Sequence, residues 1–303
     1  MVSVKRFIHD EPLLFKASKA FVALFFRCAD PVVYVAGKLS EKNEQIAWTL
    51  LGSALFQDRT YPDILRLLLN LHEKFPDDRL WSLPVPKAAE IEDVVEQTFN
   101  SRNWTTFAHV AGIFWSVGLF VRRHPDLVAW VHERTPEELW NDLSEIYFMG
   151  RSKPRPKACA AIYRLIAPSP LGLGLECGGG LNSEKGADGT SCAGGSKSGF
   201  KSGFKMPPLP LTMGARRFLA MLGPANDGSF SRLEPQKKQK LANEYFKALA
   251  PENPYFAAHS LQFFLENGSN YFICRELTNR CANCPLNEYC NYAETHNQKL
   301  DVC

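Results

Sequence analysis

Apolar residues recur three and four positions apart along most of the first 167 residues, the spacing typical of amphipathic helices. Residues 1–45 are predicted to form a helix followed by an extended connector, VVYVAG. Two helices are predicted in residues 43–76, separated by the sequence DRTYP, where Pro62 suits the first turn of the second helix. The same spacing continues through two further stretches, residues 89–99 and 104–124.

The sequence Thr135-Pro136-Glu137-Glu138 predicts the start of another helix. Thr135 suits the N-cap, Pro136 the first helical position and Glu138 the third, which together make a capping box. No stretch of the chain predicts a sheet, so the pattern favours an all-α fold. Residues 168–208 differ, because they are rich in Gly, Ser and Lys and poor in large apolar side chains. We expect them to form a flexible insertion.

Composition narrows the class of protein without identifying a partner. The chain has 303 residues, 45% of them hydrophobic, which excludes disorder of the whole and allows a large core. A net charge of +3 permits a nucleic-acid partner but does not require one. The sequence contains neither a long apolar run nor a signal-peptide pattern. We therefore expect a soluble, intracellular protein of the cytoplasm, with no membrane partner, that acts as a monomer.

Four of the nine cysteines lie within seventeen residues near the C-terminus, as C-x6-C-x2-C-x5-C. They are Cys274, Cys281, Cys284 and Cys290. Four thiolates suit either a zinc ion or an iron–sulfur cluster, and the odd total of nine favours a metal site in a reducing compartment over a disulfide framework. Zinc ribbons commonly bring two C-x2-C pairs, so the uneven spacing favours iron–sulfur. Four buried structural thiols remain the third interpretation.

This cysteine spacing resembles the cluster loop of the endonuclease III and MutY branch of the helix-hairpin-helix DNA glycosylases. The preceding sequence HSLQFFLENG, a helix ending in Gly268, adds to the resemblance. The resemblance implies a [4Fe-4S] cluster and a two-lobed, all-helical fold that binds duplex DNA and excises a flipped base. Residues 1–45 and 224–303 would form the cluster-bearing lobe, and residues 46–167 and 209–223 the central lobe with its hairpin.

Several segments match the DNA-binding parts of that family. The sequence LLGSALFQDRT resembles a helix and turn in which a glutamine fills the space left by the flipped base, here Gln57. In IYFMGRSKPRPKACAAIYRL, Gly150 takes the place of the first hairpin glycine, the second glycine is missing, and two prolines remove N–H donors. Side chains would then replace backbone amides as phosphate ligands. The candidate DNA-binding residues are Gln57, Arg59, Gly150, Arg151, Lys153, Arg155, Arg275 and Arg280.

The catalytic positions of the family are altered in this chain. The sequence PLPLTMGARRFLAMLGP resembles the segment that carries the catalytic aspartate, and that aspartate falls on Thr212, which has no charge to offer. MutY-type enzymes carry a glutamate where this chain has Ser53, four residues before Gln57. The lysine of the bifunctional members aligns with Lys157, although a register shifted by one residue would place Pro156 there. Lys157 is thus the candidate nucleophile, and phosphate binding is its simpler role.

These observations predict a divergent iron–sulfur DNA glycosylase-like protein that binds DNA and acts on an altered base in base excision repair. Two alternatives stay open. One is a non-catalytic, damage-sensing protein that keeps the cluster and binds DNA. The other is an N-glycosidase or binding protein for a free nucleoside, which would have little affinity for duplex DNA at physiological salt.

Overall fold

The computed structural model describes residues 30–55, 61–76, 81–100, 104–150, 156–169, 171–178 and 233–250, with residues 16, 209, 215, 219, 254, 255, 257 and 258 described singly. The chain divides into two compact units. Residues 29–207 form one unit, and residues 1–28 with 208–303 form the other. The lobe boundary expected between residues 45 and 46 lies inside a helix of the first unit.

Helix α1, Pro31–Ala36, corrects the prediction of an extended VVYVAG connector. The side chain of Asp30 accepts hydrogen bonds from the backbone N–H groups of Val32 and Val33, at 2.8 and 3.4 Å, and so caps the helix. Pro31 occupies the first turn, where its missing N–H costs nothing. Burial of the valine side chains and the N-cap therefore outweigh the preference of valine for strands.

Helix α2, Lys42–Leu55, is the centre of the larger unit, because it is buried at every position from Gln45 to Leu55. A helix that is buried on all sides has packing neighbours around its whole circumference. Gly52 allows α1 to approach closely: a Cβ atom there would lie 2.7 Å from Cγ1 of Val32. The amide of Gln45 donates to the carbonyl oxygen of Leu39 at 2.7 Å and ties the α1–α2 loop to the helix.

Further helices follow α2 in the larger unit. The predicted ones are confirmed as α3 (Tyr61–Lys74), α4 (Ala88–Phe99), α5 (Trp104–Arg123) and α7 (Pro136–Asp142), which continues as a short 3-10 turn, Leu143–Glu145. Helix α6 (Leu127–Glu133), between α5 and α7, was not predicted. The predicted capping box is present at the start of α7. The Thr135 hydroxyl accepts from the N–H of Glu138 at 3.3 Å, and the Glu138 carboxylate accepts from the N–H of Thr135 at 2.8 Å. Buried side chains of these helices and of α2 form one continuous apolar core.

Helix α8, Pro156–Ile166, closes the larger unit, and the chain then folds back along its C-terminal end. The N–H of Leu173 donates to the carbonyl oxygen of Arg164 at 2.8 Å, and that of Leu175 to the carbonyl oxygen of Leu165 at 3.0 Å. Both leucines also pack against the core. The first residues of the stretch predicted as an insertion are thus held in place, and residues 179–207 lie outside the described residues.

In the smaller unit, helix α9 spans Pro235–Leu249 and buries Tyr245, Phe246 and Leu249. The backbone of Leu209 is fastened to this helix: its N–H donates to Asn243 Oδ1 at 3.0 Å, and its carbonyl accepts from Gln239. Leu209 is therefore held on α9 within its own unit.

Regular secondary structure in the described part of the chain is entirely helical, as the apolar spacing predicted. None of the described helices is both long and apolar enough to cross a membrane.

Candidate nucleic-acid interface

The first turn of α8 contacts the last turn of α2, two parts of the chain that lie far apart in sequence. The Lys157 ammonium, in the first turn of α8, donates a hydrogen bond to the carbonyl oxygen of Ala54 at 2.8 Å. Ala54 lies in the last turn of α2, where carbonyl groups lack helical partners and carry the negative end of the helix dipole. The turn that carries Gln57 and Arg59 follows α2 directly, and the basic residues 151–155 directly precede α8.

A buried ion pair fixes α8 against the first two helices. Arg164 Nε donates to Asp30 Oδ2 at 2.8 Å, and both side chains are 3% exposed. Arg164 Nη1 also lies 3.0 Å from Ser53 Oγ on α2, as the donor of a hydrogen bond. Arg164 follows Lys157 by seven residues, two turns of helix, so both cations lie on the face of α8 that meets α2.

Ser53 has a structural role in this chain. Its side chain is fully buried, and its hydroxyl oxygen accepts the hydrogen bond from Arg164.

Gly150, the predicted hairpin glycine, directly follows a tight turn. Its φ is +99°, a backbone conformation that residues other than glycine rarely adopt. The turn is held from both sides, because Ile146 and Met149 are buried and the N–H of Met149 donates to the carbonyl oxygen of Ile146 at 3.1 Å. Phe148 is also left-handed, with φ of +68°. The backbone therefore turns at residues 146–149, and Gly150 follows this turn with a positive φ.

Most of the predicted site residues lie outside the described residues. These are Gln57, Arg59, Arg151, Lys153, Arg155, Thr212, Arg275, Arg280 and the four cysteines Cys274, Cys281, Cys284 and Cys290. Of the predicted site, the structure describes Gly150 and Lys157, which flank the basic segment 151–155.

The described part of the chain contains no group of three or more His, Cys, Asp or Glu side chains placed to hold a metal ion. Its cysteines are Cys159, buried in α8, and Cys177, which is half-buried. Burial raises the pKa of the nearby Tyr163 phenol well above its usual range, and Cys159 adds to the shift. Tyr163 therefore remains neutral at physiological pH and has a packing role.

Pattern analysis missed the Asp30–Arg164 ion pair and the aromatic turn. The pair joins residues 134 positions apart, and no local spacing indicates it. For Asp30 the sequence did carry a local signal, since Asp followed by Pro ahead of an apolar run indicates a helix start. Tyr147 and Phe148 lie close to Gly150 in the sequence, and only the structure shows that Tyr147 is exposed while Phe148 packs against the core.

Comparison of the chain with protein-family models, with curated proteins and with solved structures finds no match. The function is therefore inferred from the residues and from their geometry.

Proposed function

We propose that this chain is an iron–sulfur protein of the helix-hairpin-helix glycosylase type that binds duplex DNA and excises an altered base. Support comes from the spacing of the four C-terminal cysteines, from the helical architecture of the described residues and from the contact between α2 and α8. That contact is the observation on which the proposal chiefly depends.

Lys157 connects the two helices that adjoin the candidate DNA-binding sequences. Its bond to Ala54 joins the end of α2, which Gln57 follows in the sequence, to the start of α8, which follows the basic segment 151–155. A side chain that fills a base-sized gap and cations that hold the phosphates must act on the same few nucleotides. A DNA interface at this end of α2 would meet that requirement.

The four thiolates of Cys274, Cys281, Cys284 and Cys290 would hold the cluster. A [4Fe-4S] centre with four thiolate ligands shapes the loop around it and can also transfer one electron. Arg275 and Arg280 lie in the sequence between the first two of these cysteines, and their charge suits contact with DNA phosphate.

In the excision reaction, the amine of Lys157 would act as the nucleophile. A neutral amine attacks C1′ of the nucleotide, the bond from C1′ to the base nitrogen breaks, and the base leaves with a proton. This role requires the ammonium to leave the Ala54 carbonyl and lose a proton. Thr212 supplies no carboxylate to assist it.

A second function, DNA binding and damage sensing without catalysis, is favoured by the contacts of Lys157. Its ammonium donates to a helix carbonyl and lies 5.6 Å from the centroid of the Phe148 ring. Both neighbours are electron-rich and stabilise a positive charge. A cation held in this way is suited to a phosphate group.

Base release and borohydride trapping distinguish these functions. Anaerobically purified protein is incubated with duplexes that contain uracil, 8-oxoguanine, thymine glycol, an alkylated purine or an abasic site. Lys157→Ala is the test variant, and Lys38→Ala is the matched control. Like Lys157, Lys38 is a cation over an aromatic ring, with its Nζ 4.5 Å from the centroid of the Tyr34 ring. Base release with a trapped adduct, lost in Lys157→Ala alone, supports excision.

Duplex binding without release on any substrate supports the sensing function. Absence of duplex binding contradicts both and favours a free nucleoside as the ligand.

A further inference from the structure

The turn before the basic segment exposes one aromatic side chain, that of Tyr147, next to Phe148, which is half-buried and packs against the core. Ile146 and Met149 are buried and anchor the turn, whereas Tyr147 between them is 50% exposed. The N–H of Tyr147 donates to Ser116 Oγ on α5 at 2.6 Å, which fixes the backbone under the exposed ring. The tyrosine is held outward by the turn itself.

Three rings and one ammonium meet at this turn. The Phe148 ring lies 4.0 Å from the Tyr147 ring and 4.9 Å from the His109 ring, centroid to centroid, in edge-on geometry. Lys157 Nζ lies 5.6 Å from the Phe148 centroid. His109, Tyr147, Phe148 and Lys157 are called the aromatic patch below. They come from α5, the turn and α8, so packing of the larger unit brings them together.

Gly112 makes room for the patch on the surface of α5. A Cβ atom at this position would lie 3.3 Å from Cε1 of Tyr147, so the ring rests against the helix where no side chain intervenes. Phe148 has φ of +68°, a conformation that costs a residue with a Cβ about 1–2 kcal/mol. The turn accepts this cost and holds the exposed Tyr147 ring against the half-buried Phe148 ring.

The charge beside the patch indicates what binds there. Lys157 belongs to it, and Arg151, Lys153 and Arg155 lie in the sequence between Gly150 and Lys157. A ligand that suits both features is an anion with flat aromatic groups, that is, a nucleotide chain. Bases in a duplex are stacked on both faces, and only an unpaired base can offer a face to a protein ring.

We propose that the aromatic patch binds an unpaired nucleotide of a DNA strand, with the base stacked on Tyr147 and its phosphate near Lys157. The inference rests on the proposed function in placing DNA at this end of α2 and α8, but it requires no base excision. It specifies the substrate as DNA with a single-stranded or unstacked position.

Binding of a fluorescent oligothymidylate of about 12 nucleotides, a length within single-strand site sizes, tests the proposal. Anisotropy titrations use the full chain and compare wild type, Tyr147→Ala and Tyr147→Phe. We expect Tyr147→Ala to weaken binding about 10-fold, within the range for loss of one base-stacking ring. Tyr147→Phe keeps the ring and should bind as wild type does.

Tyr34→Ala is the matched control. Tyr34 is 46% exposed and has the Lys38 ammonium over its ring, but it lies on α1, away from the basic segment in sequence. It should leave the affinity unchanged. Affinity for a fully paired duplex should change little in Tyr147→Ala, because a duplex offers no free base face.

Equal affinity of wild type and Tyr147→Ala for the oligothymidylate overturns the proposal, as does absence of single-strand binding. Tighter, Tyr147-dependent binding of an oligouridylate overturns the assignment to DNA. Tyr147-dependent single-strand binding together with no base release contradicts the excision function and supports the aromatic patch. The two proposals can thus fail separately.

Discussion

The Asp30–Arg164 ion pair holds the candidate site together, and its removal is expected to destabilise the larger unit strongly. Arg164→Met deletes the guanidinium that bonds Asp30 Oδ2 at 2.8 Å and Ser53 Oγ at 3.0 Å. The Asp30 carboxylate, 3% exposed, would then lose its guanidinium partner and keep its bonds from the N–H groups of α1. Removing one partner of a buried ion pair costs about 3–5 kcal/mol.

The lower end of that range applies here, because two backbone N–H groups remain on the carboxylate. A loss of about 3 kcal/mol in a unit of this size corresponds to a fall in melting temperature of roughly 6–12 °C. The assay is thermal unfolding followed by the helical circular dichroism signal, with urea unfolding as the equilibrium check.

Two further variants isolate the cause. Arg123→Met breaks a surface ion pair, in which Arg123 Nη1 lies 3.4 Å from Glu145 Oε2 and the two side chains are 63% and 57% exposed. Its loss should cost less than about 1 kcal/mol of stability. Asp30→Asn with Arg164→Met removes both buried charges, keeps a good N-cap, and should destabilise less than the two single changes added together. A melting temperature for Arg164→Met as high as that for Arg123→Met would refute this reasoning.

Three other predictions concern packing, pH and the cluster. Gly52→Ala should lower the free energy of unfolding by about 1–3 kcal/mol, because the added methyl group overlaps Val32. In urea titrations the double variant Val32→Ala with Gly52→Ala should lose less stability than the two single variants added together. Strict additivity would contradict this. Hydrogen bonds from the Thr135 backbone and side chain lower the pKa of Glu138. The stability that this interaction confers is present above the usual glutamate pKa and is lost as pH falls through the lowered value. Glu138→Gln should therefore make the free energy of unfolding depend less on pH in this acid range. An unchanged pH dependence would contradict the capping role. Cys284→Ala should reduce bound iron and acid-labile sulfide together, and full retention of both would contradict ligation.

Local rules predicted the parts of the fold that depend on neighbouring residues. The apolar spacing predicted the helices, and the Thr135–Glu138 capping box followed from four consecutive residues because its hydrogen bonds span three positions. The VVYVAG segment was wrongly predicted as extended, since valine-rich sequence favours strands while Asp30 and Pro31 set a helix start. Here a capping signal outweighed a propensity.

Long-range contacts could not be predicted in this way. The sequence around Arg164 gives no sign that its partner is Asp30, since the pairing depends on how α1, α2 and α8 pack. The Lys157–Ala54 bond likewise joins residues 103 positions apart. Gly150 and Lys157 were named from the sequence, while the exposure of Tyr147 depends on backbone angles that no spacing encodes.

The salt dependence of duplex binding tests the central claim most directly. Affinity of a short duplex for wild type, Lys157→Met and Lys38→Met is measured across a salt series, with melting temperatures to confirm folding. We predict that wild type binds and that the logarithm of its affinity falls linearly with the logarithm of salt concentration. The slope should become shallower by about one for Lys157→Met and stay unchanged for Lys38→Met. Absence of duplex binding at low salt, or equal slopes for all three proteins, would contradict a DNA interface at the junction of α2 and α8.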